Sequence, residues 1–366
     1  MSAVNGRHLT LAVPGIFGPA AANSADDAEG ARLLTEGLSL GALERFFSRS
    51  ALFPTHALEP GVAAMLFACF GVARQGADWP VAAVTRSVDG SRAHGGWWLR
   101  ADPVHLRAGM GELVLMDSAD LRISADEAAS LAGEINAHMS DSRLRLEALA
   151  AKRWYLRLDE APRLSTRTPW EVIASPIVEQ LPGGEDAAYW HARINEIQMI
   201  LHASPVNRAR ERHGQAPINS LWLWGGGHAP QVPTGCWQGV WTDETLAAGL
   251  ARLGDAPSRA LPGDARAWLA DAASPGHHLL VLSAGYVPAR ACDAEAWRRF
   301  ISEFEEVWMA PLLDALGAGL VRSISVLPGG ARGFRLIRRQ LRRCWRRPAP
   351  FARSMASSRS PSVQPK

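Results

Sequence analysis

Hydrophobic and polar positions alternate along this chain in two registers, and the switches between them lay out its elements. His8 to Val13 (HLTLAV) is a short apolar run closed by Pro14-Gly15, which reads as a buried first strand. Leu40 to Phe47 and Val62 to Ala73 repeat apolar residues at helical spacing. Pro80 to Thr85 reads as a strand. The pattern changes near Asp89-Gly90, and residues 91–96 read as a turn or linker. Trp97 to Arg100, Glu112 to Met116 and Arg153 to Leu158 are β-type runs. Between the last two, Ser124 and Glu127 offer a capping box, with Ala128, Leu131, Ala132 and Ile135 on one helical face.

Further on, Trp190, Ile194, Ile197 and Leu201 make one buried stripe on a helix over 186–203. A short helix (Pro205 to His213) ends at Gly214, and an apolar strand, Leu221-Trp222-Leu223-Trp224, runs into Gly225-Gly226-Gly227. Helices are expected over 242–253 and 265–273, with a fully apolar strand at His277 to Ser283. A long helix capped by Asp293 points Trp297, Phe300, Ile301, Phe304 and Trp308 inward and is interrupted at Pro311. Val321 to Leu327 is the last core strand. This alternation predicts an α/β core sheet with helices on both faces and an inserted small α+β module. The expected divisions are 1–90 with 186–351 as the core, 91–185 as the insert with its connection, and 352–366 as a disordered tail.

Composition narrows the function classes. No apolar run is long enough to span a membrane, and the first residues lack the long apolar stretch of a signal peptide. The four cysteines (Cys69, Cys236, Cys292, Cys344) are scattered, which fits reduced thiols in a cytoplasm. Charge is uneven. Residues 332–366 hold ten Arg, one Lys and no acid, so the rest of this +3 chain is acidic. Gly333 to Trp345 reads as an amphipathic helix with a basic face. A core-docked helix with a solvated face is favoured over contact with nucleic acid or an acidic surface.

Three clusters are candidates for chemistry. Backbone N–H groups of Gly225, Gly226 and Gly227 could cradle an anion, although a tight exit from a buried strand is favoured. Asn207 and Arg208, with Arg210 and Arg212, precede that loop and suit an anionic ligand. A solvated helix face is the plainer reading. Arg100, Asp102, His105 and Arg107 fall within eight residues after a strand, a set able to bind a phosphorylated or carboxylated group or to transfer protons. A strand-end turn fixed by Asp102 and Pro103 is an equal alternative. The histidines form no HxH or HExxH pattern, and His277 and His278 point to opposite faces of their strand, so no metal or cofactor is expected. No GxSxG elbow and no GxGxxG loop occurs.

Pro205, Val206, Asn207, Arg208, Gly214, Pro217, Asn219, Trp222, Trp224, Gly225 and Gly227 together resemble a signature of the archaeal-type cofactor-independent phosphoglycerate mutases. Residues 112–136 resemble another stretch of that family. The resemblance implies an alkaline-phosphatase-like core with an inserted substrate module and places Arg100 where the family has a substrate-facing arginine. It also implies two divalent metals and a phosphoserine, and here the sequence departs. Pro14-Gly15 stands where Asp-Gly is expected, Ala284-Gly285-Tyr286 where an acid- and His-bearing loop is expected, and Gly329-Gly330 where Asp-His is expected. No Gly-x-Ser-Asp turn precedes residue 90. Ala101 to Leu106 and Trp345 to Pro348 are similar to the RpfE-type bacterial regulatory proteins.

The expectation is therefore a catalytically degenerate, cytoplasmic relative with a regulatory or ligand-sensing role and no catalytic residues. Its partner would be a small anionic ligand. The alternative is a metal-independent phosphomutase or phosphatase acting on small phosphorylated acids through Asp102, His105 and nearby arginines.

Overall fold

The computed structural model describes residues 6–19, 27–55, 59, 61–74, 76–90, 95–108, 113–116, 121–139, 144–172, 177–343 and 346–359. The chain divides into two compact units: residues 1–72 with 232–366, and residues 73–231. The first unit begins with β1 (Arg7–Ala12), α1 (Asp27–Thr35), α2 (Gly41–Arg49), β2 (Ala51–Pro54) and α3 (Val62–Cys69). The second holds α4 (Val81–Asp89), β3 (Trp97–Val104), β4 (Leu106–Ala108), β5 (Leu113–Leu115), α5 (Ala125–His138), β6 (Arg145–Ala150), β7 (Arg153–Leu158), α6 (Pro169–Val172), α7 (Ala187–Ala203), α8 (Pro205–Arg212) and β8 (Ser220–Gly227). The chain then returns through β9 (Gly239–Thr242), α9 (Thr245–Leu253), β10 (Ser258–Arg259), α10 (Ala265–Asp271), β11 (Gly276–Val281), α11 (Tyr286–Arg290) and α12 (Ala294–Glu303). A π-helical turn (Phe304–Met309), α13 (Ala310–Ala318), β12 (Ser323–Leu327), β13 (Arg332–Ile337), α14 (Arg338–Leu341) and α15 (Phe351–Arg359) complete it.

The first unit is built on a seven-stranded sheet in the order β10-β9-β11-β1-β12-β13-β2. Its first five strands are parallel, and β13 and β2 are antiparallel additions. Alternate residues explain why both faces need cover. Leu9 and Leu11 of β1, Leu280 of β11, and Ile324 and Val326 of β12 enter one large core with α2, α10, α12, α13 and α15. Val240, Leu279 and Val281 are buried on the opposite side, where α9 packs on β9 and α3 packs on α9. The α/β sheet with helices on both faces is thus present as expected.

The second unit has an antiparallel sheet, β6-β7-β3-β8. On one face, α5 and α7 bury the predicted stripes, Ala128, Leu131, Ala132 and Ile135 against Trp190, Ile194, Ile197 and Leu201. The Ser124–Glu127 capping box forms as read from the sequence. On the other face, α4 lays Ala82 and Ala83 against Trp98 and Tyr155.

Several expectations are corrected. The compact unit extends to 73–231, because β8 pairs with β3 rather than with the central sheet. Residues 80–85 are not a strand but the start of α4. Pro80 is its N-cap, where a missing N–H costs nothing, and the helix is apolar because Val81, Ala82, Ala83 and Val84 are all buried. Among the described residues, 333–343 do not form one amphipathic helix. Phe334 and Leu336 reach the core on alternate positions of β13, a period of two that wins through pairing with β12. Phe351 and Met355 anchor α15 in the core, so a helix replaces the first part of the expected tail. Cys344, Trp345 and residues 360–366 lie outside the described residues.

Candidate functional site

In open α/β sheets, ligands gather at the carboxyl ends of the strands, so that edge is the first place where chemistry would be expected. The loop after β1 is Val13-Pro14-Gly15. Gly15 has φ +80°, and a side chain there would start 2.4 Å from the Gly285 carbonyl oxygen. The loops after β1 and β11 therefore touch through their backbones. The Trp297 indole, fully buried, donates to the Gly15 carbonyl at 2.9 Å. Phe300 packs so closely on Gly285 that a Cβ there would sit 2.3 Å from its ring. Of the acids following β9, Asp243 accepts the Leu261 N–H at 3.1 Å and Glu244 lies 3.5 Å from the Ser283 hydroxyl. Among the described residues, no group of three or more His, Cys, Asp or Glu is placed to hold a metal. A divalent pair needs converging carboxylates and imidazoles. This edge offers backbone contact and aromatic rings instead, so the two metals implied by the resemblance do not fit.

Arg100 and Asp102, two apart on β3, project to the same side. The Arg100 guanidinium grips Asp102 with two hydrogen bonds, from Nε at 2.9 Å and Nη2 at 2.8 Å. Asp102 also accepts from the Trp224 indole at 2.8 Å and from the Trp154 backbone N–H at 3.3 Å. The guanidinium contacts the Thr85 hydroxyl at 3.3 Å and lies over the rings of Tyr155 and Trp224. Both charged residues are buried. Burial pushes the Asp102 carboxyl up, and Arg100, Trp224 and Trp154 oppose it by favouring the carboxylate. Every strong donor and acceptor here faces another protein group, which is the geometry of an internal brace.

His105 accompanies this pair in sequence but not in space. Its Nδ1 lies 2.7 Å from the Pro217 carbonyl, which ties the end of β3 to the turn before β8. Asn207 is buried as a clamp. Its amide donates to the Leu201 and Ile218 carbonyls at 2.8 and 2.7 Å, and its oxygen accepts from the Ile218 N–H at 2.8 Å. Arg208 is exposed on α8, whereas Arg210 is buried and bonds the Ala216 and Arg122 carbonyls and Glu127. The expected ligand set is therefore dispersed: Arg100 and Asp102 in one brace, Asn207 in another, Arg208 on the surface.

The glycines are part of β8 rather than a loop beyond it. Trp98 pairs with Gly227 and Arg100 with Trp224, so β8 carries an extra residue there, a bulge that uses the left-handed Gly225 (φ +67°). The absent side chains make room for neighbours. A Cβ on Gly226 would sit 2.1 Å from the Trp97 ring and one on Gly227 2.6 Å from Pro80. The N–H groups of Gly225 and Gly226 are already engaged. Gly225 donates to the Thr166 hydroxyl at 3.1 Å. Thr166 in turn hydrogen-bonds Asp78 through its hydroxyl and, at 3.0 Å, its backbone N–H, and Gly226 donates to the same carboxylate. Burial raises the Asp78 carboxyl, and these donors oppose the shift.

Gly226 and Gly227 nonetheless line a cavity of about 540 Å³ inside the second unit, within the usual range for small-molecule pockets. Trp97, Pro80, Pro162 and Leu164 supply apolar walls, and Asp78, Arg163, Glu185 and His228 supply polar groups. Arg163 pairs with Glu185 and approaches Asp186 at 3.7 Å. His228 Nδ1 lies 3.0 Å from the Gly96 carbonyl. Asp78, Thr166 and Arg163 were not singled out from the sequence. The misread strand at Pro80 hid Asp78, and the connection carrying Arg163 and Thr166 has no periodic pattern. His228, directly after the glycine run, was the one available signal.

An α/β unit with a parallel-sheet core, interrupted by a compact α+β unit, is the class of protein that these elements define. No protein-family profile matches the chain. Over 111 residues it is 30% identical to a 2,3-bisphosphoglycerate-independent phosphoglycerate mutase of Methanosarcina barkeri, covering 30% of this chain and 28% of that protein. It is 28% identical over 134 residues to a probable enzyme of the same name from Geobacter sulfurreducens, covering 36% and 34%. Over 65 residues it is 38% identical to the Methanothrix thermoacetophila mutase, covering 18% and 17%. The matches thus span about a third or less of these relatives' length. The PH0037 protein from Pyrococcus horikoshii shares the fold, with a TM-score of 0.55 and 14% identity over 91% of this chain and 87% of that one. The chain is related in sequence to the 2,3-bisphosphoglycerate-independent phosphoglycerate mutases, as its motifs implied.

Proposed function

We propose that this chain is a catalytically degenerate, mutase-like protein of the RpfE type, with a regulatory or ligand-sensing role in the cytoplasm. It would keep the alkaline-phosphatase-like scaffold and use it without phosphoryl transfer. The observation that carries the reading is the carboxyl edge of the central sheet. There Gly15 meets Gly285, and Trp297 and Phe300 fill the space, with no convergent metal-binding set among the described residues. Without metal ions the charge that develops in phosphoryl transfer has no counterpart. The sensed ligand would be a small anionic metabolite seated in the cavity beside Gly226 and Gly227, with His228 as one polar contact and Arg163 as the other, exchanging its present partners Glu185 and Asp186 for the ligand.

The alternative, metal-independent chemistry by Asp102 and His105, finds less support. Asp102 is buried and holds four protein donors, and His105 is turned to Pro217. The full chain is incubated with 3-phosphoglycerate and with generic phosphomonoesters, with and without Mn²⁺. Background rates throughout are expected, with saturable calorimetric binding of 3-phosphoglycerate that weakens in Arg163→Ala. Turnover that depends on Mn²⁺ overturns the degenerate reading. Metal-free turnover lost in His105→Ala establishes the alternative.

A further inference from the structure

The first unit carries a polar feature on residues to which the mutase resemblance assigns no role. Parallel sheets normally present apolar residues on both faces. Here one face is polar along the amino-terminal half of its strands. While Leu9 and Leu11 of β1, Ile324 and Val326 of β12 and Leu336 of β13 enter the main core, the alternating residues on the other face are His8 and Thr10, Ser323 and Ser325, and Arg335. Strand register sets His277 beside His8, His8 beside Ser323, and Ser325 beside Arg335. His277 and Arg335 are exposed, and the two serines are buried beneath their neighbours.

The side chains are ordered by contacts with one another. The His8 and His277 imidazoles stack, with centroids 5.0 Å apart and planes at 25°. His8 Nδ1 lies 2.8 Å from the Ser323 hydroxyl. Arg335 donates through Nε to the Ser325 hydroxyl at 3.1 Å, and its guanidinium lies over the Phe53 ring at 4.9 Å. Burial holds His8 below the usual imidazole range, and the charged groups around it lower it further. These are His277 and His278 of β11, Arg335 of β13, and Arg322 just before β12. All four are bases, and no carboxylate is among them.

A set of bases with no acid among them repels itself and attracts anions. Two guanidiniums and two protonatable imidazoles exceed what a single negative charge would balance, and planar guanidinium donors match tetrahedral oxyanions. We propose that this patch is a binding site for a phosphate-type dianion, held by Arg335, Arg322 and the His8–His277 pair, with Ser323 and Ser325 fixing the positions of His8 and Arg335. Binding would favour the protonated form of His8, which its present surroundings oppose, and so strengthen as pH falls. The site lies wholly in the first unit and does not depend on the cavity reading.

Sulfate is the probe, because its charge stays fixed between pH 6 and 8. The full chain is titrated with sulfate against chloride at matched ionic strength, and histidine ring resonances are followed by NMR at both pH values. Saturable shifts of His8 and His277 are expected, with affinity at least tenfold higher at the lower pH. Arg335→Gln and His277→Gln, both at exposed positions, should each weaken binding about tenfold, and His277→Gln should also flatten the pH dependence. Arg299→Gln, an exposed arginine of α12, should bind as the unaltered chain does. Shifts that do not saturate, or unchanged affinity in both site variants of confirmed fold, overturn the proposal.

Discussion

The Arg100–Asp102 brace gives the sharpest test of how the second unit is held together. Asp102→Asn keeps the shape of the side chain but removes its charge. Arg100 is 5% exposed and its hydrogen bonds go to Asp102 and Thr85, so without Asp102 its guanidinium keeps only the through-space attraction of Asp89, itself paired with Arg153, in a poorly solvated site. Breaking a buried pair in this way costs about 3–5 kcal/mol. The amide can still accept from either the Trp224 indole or the Trp154 N–H, so little is added for those. The converse change, Arg100→Met, leaves a carboxyl that can take up a proton. Removing Arg100 takes away the largest influence opposing burial, so the Asp102 carboxyl rises further. A group whose folded pKa is raised gives its stability below the unfolded value, about 3.9, and loses it as pH rises. Arg100→Met should therefore be least harmful near pH 4 and worst near pH 7, whereas the Asn variant should show no such relief in acid. The double variant Arg100→Met/Asp102→Leu should recover much of the loss, since hydrophobic replacement of a whole buried pair is often near neutral. Because the two units need not unfold together, the assay is hydrogen exchange of peptides covering β3, β7 and β8. A loss of 3 kcal/mol corresponds to roughly a hundredfold faster exchange there. Acceleration below about fivefold in Asp102→Asn would refute the idea that the pair is desolvated and structurally coupled.

Three further outcomes follow from single contacts. Glu305, on the π-helical turn, accepts the Ala42 and Leu43 N–H groups at 2.6 and 2.9 Å and so caps α2. Glu305→Gln should cost about 1–2 kcal/mol in denaturant unfolding of the first unit. Burial raises the Glu305 carboxyl, so the native advantage is largest in acid, and the deficit of the variant should shrink as pH rises from 4 to 7. A deficit that grows with pH contradicts this. Gly226→Ala forces a methyl toward Trp97 and should destabilise the second unit by about 1–3 kcal/mol, measured by the same exchange experiment, and unchanged protection would show that the ring has room to move. Asn207→Ala strips partners from the Ile218 N–H and two carbonyls and should cost about 2–4 kcal/mol, read from amide exchange at Ile218.

What the sequence disclosed depended on how much of each pattern was local. The capping box at Ser124–Glu127 and the stripe from Trp190 to Leu201 needed no distant partner to be read, and both form as expected. The i, i+2 spacing of Arg100 and Asp102 likewise puts them side by side on any strand. Whether such a pair faces ligand or core depends on what covers the strand, here α4, which an apolar run beginning with Pro disguised as a strand. Residues 333–345 failed for a related reason. Phe334 and Leu336 fit a period of two while Phe334, Ile337 and Leu341 fit one of 3.6, and the hairpin with β12 decides between them.

The same dependence on long-range contacts bears on the two readings of the glycine run, of which the tight exit from a buried strand is the favoured one. Three successive glycines after an apolar strand suggest open backbone ready for an anion. In the folded chain the run is crowded: Trp97, Pro80 and Val81 occupy the places of the missing side chains, and Thr166 and Asp78 take N–H groups of Gly225 and Gly226. The glycines of this run thus serve close packing within the second unit. The carboxyl edge of the central sheet is the reverse case. Metal ligands there would have to be charged and partly solvated, which keeps space open. Once Pro14, Gly15 and Gly285 stand in the loops, Trp297 and Phe300 close over them and gain burial worth about 25 cal/mol for each Å² of apolar surface. Adding an acid at Gly15, next to the Pro14 that stands where Asp is expected, would then mean placing a side chain 2.4 Å from the Gly285 carbonyl, in a left-handed conformation. Gly15→Asp should therefore unfold or loosen the first unit rather than create a metal site. Thermal unfolding in the presence and absence of Mn²⁺ checks this: the variant should melt lower than the parent, with no rescue by the ion. Stabilisation by Mn²⁺ in that variant would mean that the edge is still open enough to hold a metal.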